Sequence, residues 1–172
     1  MKSKDRDIDQ HTIVLYLEEM VLPEIDQFLT CARIGRVGVI LKEGPYVVPV
    51  GYVYSEGKIF FHTCGTEGTK MQAIQANPNV CFEVDESISD GSLAKSVVIL
   101  GHAEVIKKKA KMLPYLQKLI DKYRVPVSFD EYMSSRNRNV KEELDAVRIC
   151  LITPDKITGK KIVRPTATFS TL

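Results

Sequence analysis

Residues 33–63 read RIGRVGVILKEGPYVVPVGYVYSEGKIFFHT. Three apolar runs of strand length alternate with two turn signals, Lys42-Glu43-Gly44-Pro45 and Ser55-Glu56-Gly57. The runs are rich in β-branched and aromatic residues and are broken by glycine and proline, the pattern of short antiparallel strands. The stretch predicts strands over 33–41, 46–54 and 58–63, joined as an antiparallel meander. Pro49 has no N–H to donate, so the second strand belongs at a sheet edge, at a bulge, or against something other than a strand.

Outward from this stretch, the pattern mixes strands and helices. Residues 1–10 are polar and read as a loose tail, and the run Ile13 to Tyr16 reads as a strand or one helical turn. Leu22-Pro23-Glu24 opens a helix over 23–31: proline suits the first turn, and Glu24 and Asp26 suit the positive end of the dipole. Gly68 to Ala76 predicts a helix, stopped by Asn77-Pro78-Asn79. A strand follows over 80–84, then a polar loop from Ser87 to Ser92. Residues 95–106 form a long strand in which Gly101 marks a bulge or bend. Lys107 to Arg124 is helical, with Leu113, Leu116, Ile120 and Tyr123 as its apolar stripe. Pro114 requires a start near Lys111 or a kink. Residues 125–143 read as polar and irregular, anchored by Phe129, Tyr132 and Met133. The last strand is 144–152, with Val147, Ile149 and Leu151 alternating against Arg148 and Cys150, and a tail follows over 153–161. About six strands with inserted helices give an α+β class: one domain over 1–172, an antiparallel barrel closed or nearly so, with flanking helices. Its edges call for closure or a second chain.

Composition narrows the function. The 24 basic and 22 acidic residues leave a net charge of +2, too balanced to indicate a nucleic-acid partner. The cluster Lys107, Lys108, Lys109 and Lys111 has no interleaved aromatics and reads as a solvated helix face. No apolar run reaches the ~20 residues that span a membrane, and the N-terminus has no apolar signal core, so the expected place is the cytoplasm. Cys31, Cys64, Cys81 and Cys150 form no CxxC pair and read as buried free thiols. No metal spacing emerges, and no Ser–His or carboxylate–His arrangement points to hydrolysis.

Residues 60–71, FFHTCGTEGTKM, carry the chemistry. Gly65 and Gly68 allow backbone N–H groups to turn toward one point. The helix that begins there has free N–H groups at its start. Lys70 adds a cation, Thr63 a hydroxyl and His62 a donor. These are the parts of an anion cradle; the same residues also make a plain strand–turn–helix connection, and the pattern alone leaves both open.

Four ordered blocks go further: Pro45 to Tyr54, Gly57 to His62, Glu67 to Lys70, and Asn77 to Val84. Together with Ser96 to Ala103 they resemble the pyridoxamine 5′-phosphate oxidase-like FMN-binding split barrels, and most nearly the branch of the nitroimidazole-resistance proteins. The resemblance spans about 24–161. It implies a six-stranded split barrel, a homodimer with FMN at the subunit interface, a reduced nicotinamide as donor, and a small acceptor such as a nitroaromatic. It implies that Val48, Pro49, Val50 and Gly51 present their backbone to the isoalloxazine ring. His62 and Thr63 would line the ribityl phosphate, Lys70 would pair with the phosphate, and Ser96 would approach the cofactor; His62 is the one catalytic candidate. The family's oxidases carry a second basic residue before that lysine, where this chain has Thr69. They also recognise substrate with a C-terminal Trp and Arg, and this chain has no Trp, so pyridoxamine phosphate oxidation is not the expected activity. Thr158-Gly159-Lys160 matches a family motif that either closes over the site or ends the chain. Arg36 reads as a surface or interface charge and His102 as a surface residue. A non-catalytic flavin carrier and a haem protein ligated by His62 or His102 are the alternatives.

Overall fold

A computed structural model describes residues 16–64, 68–87, 93–123, 127–135 and 139–163. The strands are β1 (Tyr16–Glu19), β2 (Ile34–Leu41), β3 (Gly44–Gly51), β4 (Val53–Ser55), β5 (Lys58–Cys64), β6 (Asn79–Ser87), β7 (Leu93–Ile106) and β8 (Val147–Val163). The helices are α1 (Leu22–Cys31), α2 (Thr69–Ala76), α3 (Lys109–Lys122), α4 (Phe129–Ser135) and α5 (Val140–Ala146). All pairings are antiparallel, in the order β3-β2-β6-β7-β8-β5-β4, with β1 beside the distal half of β8.

The ends of this path explain the shape. β3 and β4 lie at opposite ends of the sheet, yet only Tyr52 separates them in the chain. The sheet must therefore curl until its two edges meet, and no ladder joins β3 to β4. The result is an antiparallel barrel with an open seam, an α+β fold with flanking helices. Pro49 lies on β3, at the edge of the path, where a missing N–H costs no ladder bond.

Pleating sends alternate residues of each strand inward. Val37, Val39, Val50, Phe61, Phe82, Val84, Val97, Ile99 and Ile152 fill the barrel. Ile25, Phe28 and Leu29 of α1 and Met71, Ala73 and Ile74 of α2 join this core. A second core forms outside, where Met112, Leu116 and Leu119 of α3 cover Val53, Phe60, Val147, Ile149 and Leu151. Each fully buried side chain of this size contributes about 1.5–3 kcal/mol.

Several expectations change. The strands number eight, because the predicted second strand breaks at Tyr52 and β1 is added. Both predicted hairpin pairings form, β2 with β3 and β4 with β5, but the break at Tyr52 sends them to opposite ends of the sheet, where β5 also pairs with β8. The supposed tail over 153–161 is the second half of β8, held between β7 and β1. Gly159 lies in it, and a Cβ there would come within 2.8 Å of Ile25. Residues 129–135 and 140–146 are helical rather than irregular, and the last strand starts at Val147 because α5 runs to Ala146. The buried stripe of α3 contains Met112 and Leu119, whereas Leu113 is exposed; Pro114 lies inside the helix. Gly101 does mark an irregularity, with a register shift between Leu100 and Gly101. The predicted tail over 1–10, the turn at Gly65 and most of the 87–92 loop lie outside the described residues.

Candidate functional site

β5 alternates between the two cores. Phe61 and Thr63 face the barrel interior, and Phe60 and His62 face out. On β8, Cys150 stands opposite Phe61, Ile149 opposite His62 and Arg148 opposite Thr63. The chain then returns as α2. Its N-cap Gly68 is extended, and its carbonyl accepts from the N–H groups of Met71 at 2.8 Å and Gln72 at 3.1 Å. The first turn stands over the Phe61–Cys150 pair: Lys70 Nζ is 4.9 Å from the Phe61 ring centroid, and Met71 Sδ is 3.5 Å from Cys150 Sγ. No acidic residue occupies the first turn of this helix.

Charge and burial set the protonation states. Water reaches His62, but protein packs around the rest of the ring; this crowding first, and Lys70 second, hold its pKa below the ordinary histidine value. Burial pushes the Cys150 thiol up to about 12 against the opposing pull of Lys70, so Cys150 is an inert core thiol. Cys81 is half-buried and Cys31, at the end of α1, is exposed, so the thiols are free but not uniformly buried.

β3 forms the other side of the seam and approaches β5. Val50 points inward and is buried, Val48 packs against the barrel core, and Pro49 and Gly51 face out opposite Arg36 and Ile34. A Cβ on Gly51 would fall 2.3 Å from Tyr123 Oη, which donates to Arg33 O at 2.8 Å. Glycine therefore lets the end of α3 reach β3. Beside it, Lys122 Nζ is buried 4.1 Å from the Tyr52 ring centroid and has no hydrogen-bond acceptor among the described residues. Burial lowers its pKa to about 8. Tyr52 is itself fully buried and donates to Leu29 O at 2.7 Å.

The fold thus places Thr63 and Lys70 on the barrel side of β5 and His62 on its opposite face, with Val48 to Gly51 on the strand that approaches β5. It does not bring Ser96 to them within one chain. Ser96 pairs with Lys160 on β8 whereas His62 pairs with Ile149, a separation of about 35 Å along the strand. Thr158, Gly159 and Lys160 are likewise remote, in the distal half of β8. His102 is a surface residue, 3.4 Å from Asp155. Lys107, Lys108, Lys109 and Lys111 are exposed, and Lys109 pairs with Asp145. Arg148 was expected to point away from the core; it faces the barrel side because both faces of β8 are covered. Lys122 is a residue near β3 that sequence periodicity did not single out, whereas Tyr123 was read as part of the helix's apolar stripe and reaches Gly51.

The outer face of β3, β2, β6 and β7 is apolar and open. Val47, Gly38, Cys81 and Leu100 form one cross-strand row. Val47 is 61% exposed, Ile40 53% and Leu100 49%. In the neighbouring rows Arg36 donates to Glu83 at 3.0 Å and pairs with Asp85, which stands opposite Ser96.

Among the described residues, no helix is long and apolar enough to cross a membrane, and no group of three His, Cys, Asp or Glu could hold a metal ion. Residues 22–161 match the family model described as pyridoxamine 5′-phosphate oxidase. No curated protein matches the chain. Among solved structures, a protein from Bacteroides thetaiotaomicron assigned to 5-nitroimidazole antibiotic resistance superposes with a TM-score of 0.71 at 22% identity, over 87% of this chain and 89% of the other. A FAD-binding protein of Mesorhizobium loti gives 0.64 at 22% identity, over 84% and 97%. A FAD and haem binding protein of Mycobacterium smegmatis gives 0.65 at 17% identity, over 81% and 70%. At these identities the likeness establishes the fold.

Proposed function

The chain belongs to the pyridoxamine 5′-phosphate oxidase family, and from that membership we propose that it is an FMN-binding flavoprotein that passes electrons from a reduced nicotinamide to a small acceptor, of which nitroaromatics are one class. The observation that carries this reading is the gathering of Thr63, Lys70 and the start of α2 at the end of β5, the strand that the edge strand β3 approaches. Solved structures of the same fold include FAD-binding proteins, which supports a flavin as the ligand.

The donor set fits FMN. A cation, a hydroxyl and a helix start suit a phosphomonoester. On alternate residues, the edge strand from Val48 to Gly51 turns backbone groups away from β2, its partner, next to apolar side chains that suit a flat ring. When bound, the flavin supplies the redox chemistry. The chain would supply the rest: Lys70 and Thr63 would hold the phosphate, and an outward backbone N–H at the Val50–Gly51 end of β3 would stabilise charge on the ring. His62, neutral at pH 7, offers one ring nitrogen as acceptor and the other as donor.

The exposed row Val47–Leu100 supports a homodimer through this face. Ser96 lies on the same face, so a two-fold partner, rather than the same chain, would bring it to the cofactor. Lysis and purification followed by a visible spectrum, with the released chromophore identified by mass, tests the reading. Flavin absorption and the mass of FMN are expected, with bleaching by NADH or NADPH under anaerobic conditions. A colourless protein that fails to take up added FMN would reject it. A haem protein without turnover is the second reading, favoured by a solvent-reached His62 in the neutral form that ligates metals; a Soret band on adding haem would select it.

A further inference from the structure

Two cations meet at the end of β3. Arg33, exposed just before β2, holds its guanidinium 4.8 Å from the Tyr123 ring centroid. The Tyr123 hydroxyl donates back to Arg33 O at 2.8 Å. The two contacts hold the arginine against the ring. Lys122, the residue before Tyr123, buries its Nζ against the Tyr52 ring. Besides burial, the groups that act on its charge are Cys31 and Arg33, a thiol and a second cation. Neither Arg33 nor Lys122 has a carboxylate partner among the described residues.

The surface beside this pair is apolar. Ile34 stands opposite Gly51, on the same outer face that Tyr123 touches, and is 52% exposed. An exposed aliphatic side chain next to an exposed guanidinium suits a ligand with an apolar body and an anionic end. The planar fork of arginine fits a carboxylate. Tyr123 holds that fork in place beforehand, which spares the ordering cost a free arginine bears on binding. Lys122 does not touch such a ligand, because its Nζ is enclosed; it adds positive potential from within.

We propose that Arg33, held on Tyr123 and backed by Lys122, binds the carboxylate of a small organic acid whose apolar body lies on Ile34. Gly51 ends the strand that the flavin reading sets along the isoalloxazine ring, so the acid lies at one edge of the ring, as the second substrate. That place in a reaction rests on the flavin reading; the acid site itself does not.

The test titrates benzoate, benzamide and inorganic phosphate into the wild-type protein, Arg33→Gln, Arg33→Lys and Lys122→Met. Calorimetry at pH 8, in two buffers of different ionisation enthalpy, reads affinity and proton uptake together. Benzoate is expected to bind, and benzamide, its neutral counterpart, to bind about tenfold more weakly. Arg33→Gln is expected to weaken benzoate binding about tenfold, and Arg33→Lys to recover part of the loss. Lys122, its pKa lowered to about 8, is near half charge at this pH, and a nearby anion raises that value. Benzoate binding therefore takes up a fraction of a proton in the wild type and none in Lys122→Met. Benzamide binding as tightly as benzoate would overturn the proposal, as would benzoate affinity that ignores Arg33→Gln. Phosphate binding as tightly as benzoate would overturn the ligand class, since Ile34 would then play no part. Proton uptake that persists in Lys122→Met would overturn the role of Lys122. A protein that binds benzoate through Arg33 but takes up no FMN upholds the acid site and rejects the flavin reading. One that takes up FMN but binds no benzoate overturns the acid site and leaves the flavin reading standing.

Discussion

Three side chains carry the testable chemistry. Lys70 lies over Phe61 at the start of α2, and a charge-assisted bond to phosphate is worth about 1.5–3 kcal/mol. Lys70→Ala is therefore expected to weaken FMN binding about tenfold or more, measured by equilibrium titration; unchanged affinity removes Lys70 from the site. His62 has a pKa below its unfolded value through crowding and Lys70, so folding favours its neutral form. Its contribution is complete above about pH 6.5 and is lost as pH falls through the lower folded value. The Tm difference between the wild type and His62→Gln should shift against the wild type between pH 7.5 and pH 5. Lys122 has its pKa lowered from 10.5 to about 8, so the folded protein bears an unpaired buried charge at pH 7. Lys122→Met is expected to raise Tm at pH 7, with the gain shrinking as pH rises through 8 toward 10; a gain independent of pH would assign it to packing instead.

At the scale of elements, the break at Tyr52 is decisive. It lets one run of chain serve as both edges of the sheet, and the buried ring with its bond to Leu29 O anchors the crossing against α1. The bulge at Gly101 does similar work for β7, which must bend to stay paired with β8 over its whole length. A Cβ there would lie 2.4 Å from Thr153 O, a backbone atom that cannot swing aside. Gly101→Ala is expected to cost about 1–3 kcal/mol, read as a lower urea midpoint with an unchanged slope.

At the scale of the whole molecule, the open seam and the apolar outer face belong to one problem. Curling the sheet buries its inner face but leaves Val47, Ile40 and Leu100 exposed, and the proposed second copy would cover them without further folding. If the proposed dimer uses this face, the pair Val47→Lys and Leu100→Lys should convert it to monomer in sedimentation velocity while preserving the circular dichroism spectrum. FMN affinity should fall as the dimer is lost, because Ser96 would then have no partner chain whose cofactor it could reach. A dimer that survives both charges places the interface elsewhere.

What the sequence determined by itself was local. Alternation and glycine turns made 33–63 strands, Pro49 put the second of them at an edge, Gly101 marked a bulge, and the spacing of His62, Thr63, Gly68 and Lys70 raised an anion cradle beside a plain strand–turn–helix connection. These are readable because each depends on residues a few positions apart. The tertiary structure alone decided which strands pair, that the supposed tail is half of the longest strand, and that α3 buries Met112 and Leu119 rather than Leu113. It also decided the company of Arg148. Alternation identifies the two faces of a strand, but when helices cover one face and the barrel core lies behind the other, both are apolar. Nothing local then says which face meets the site, and a residue 85 positions from Thr63 becomes its neighbour only through the β5–β8 register.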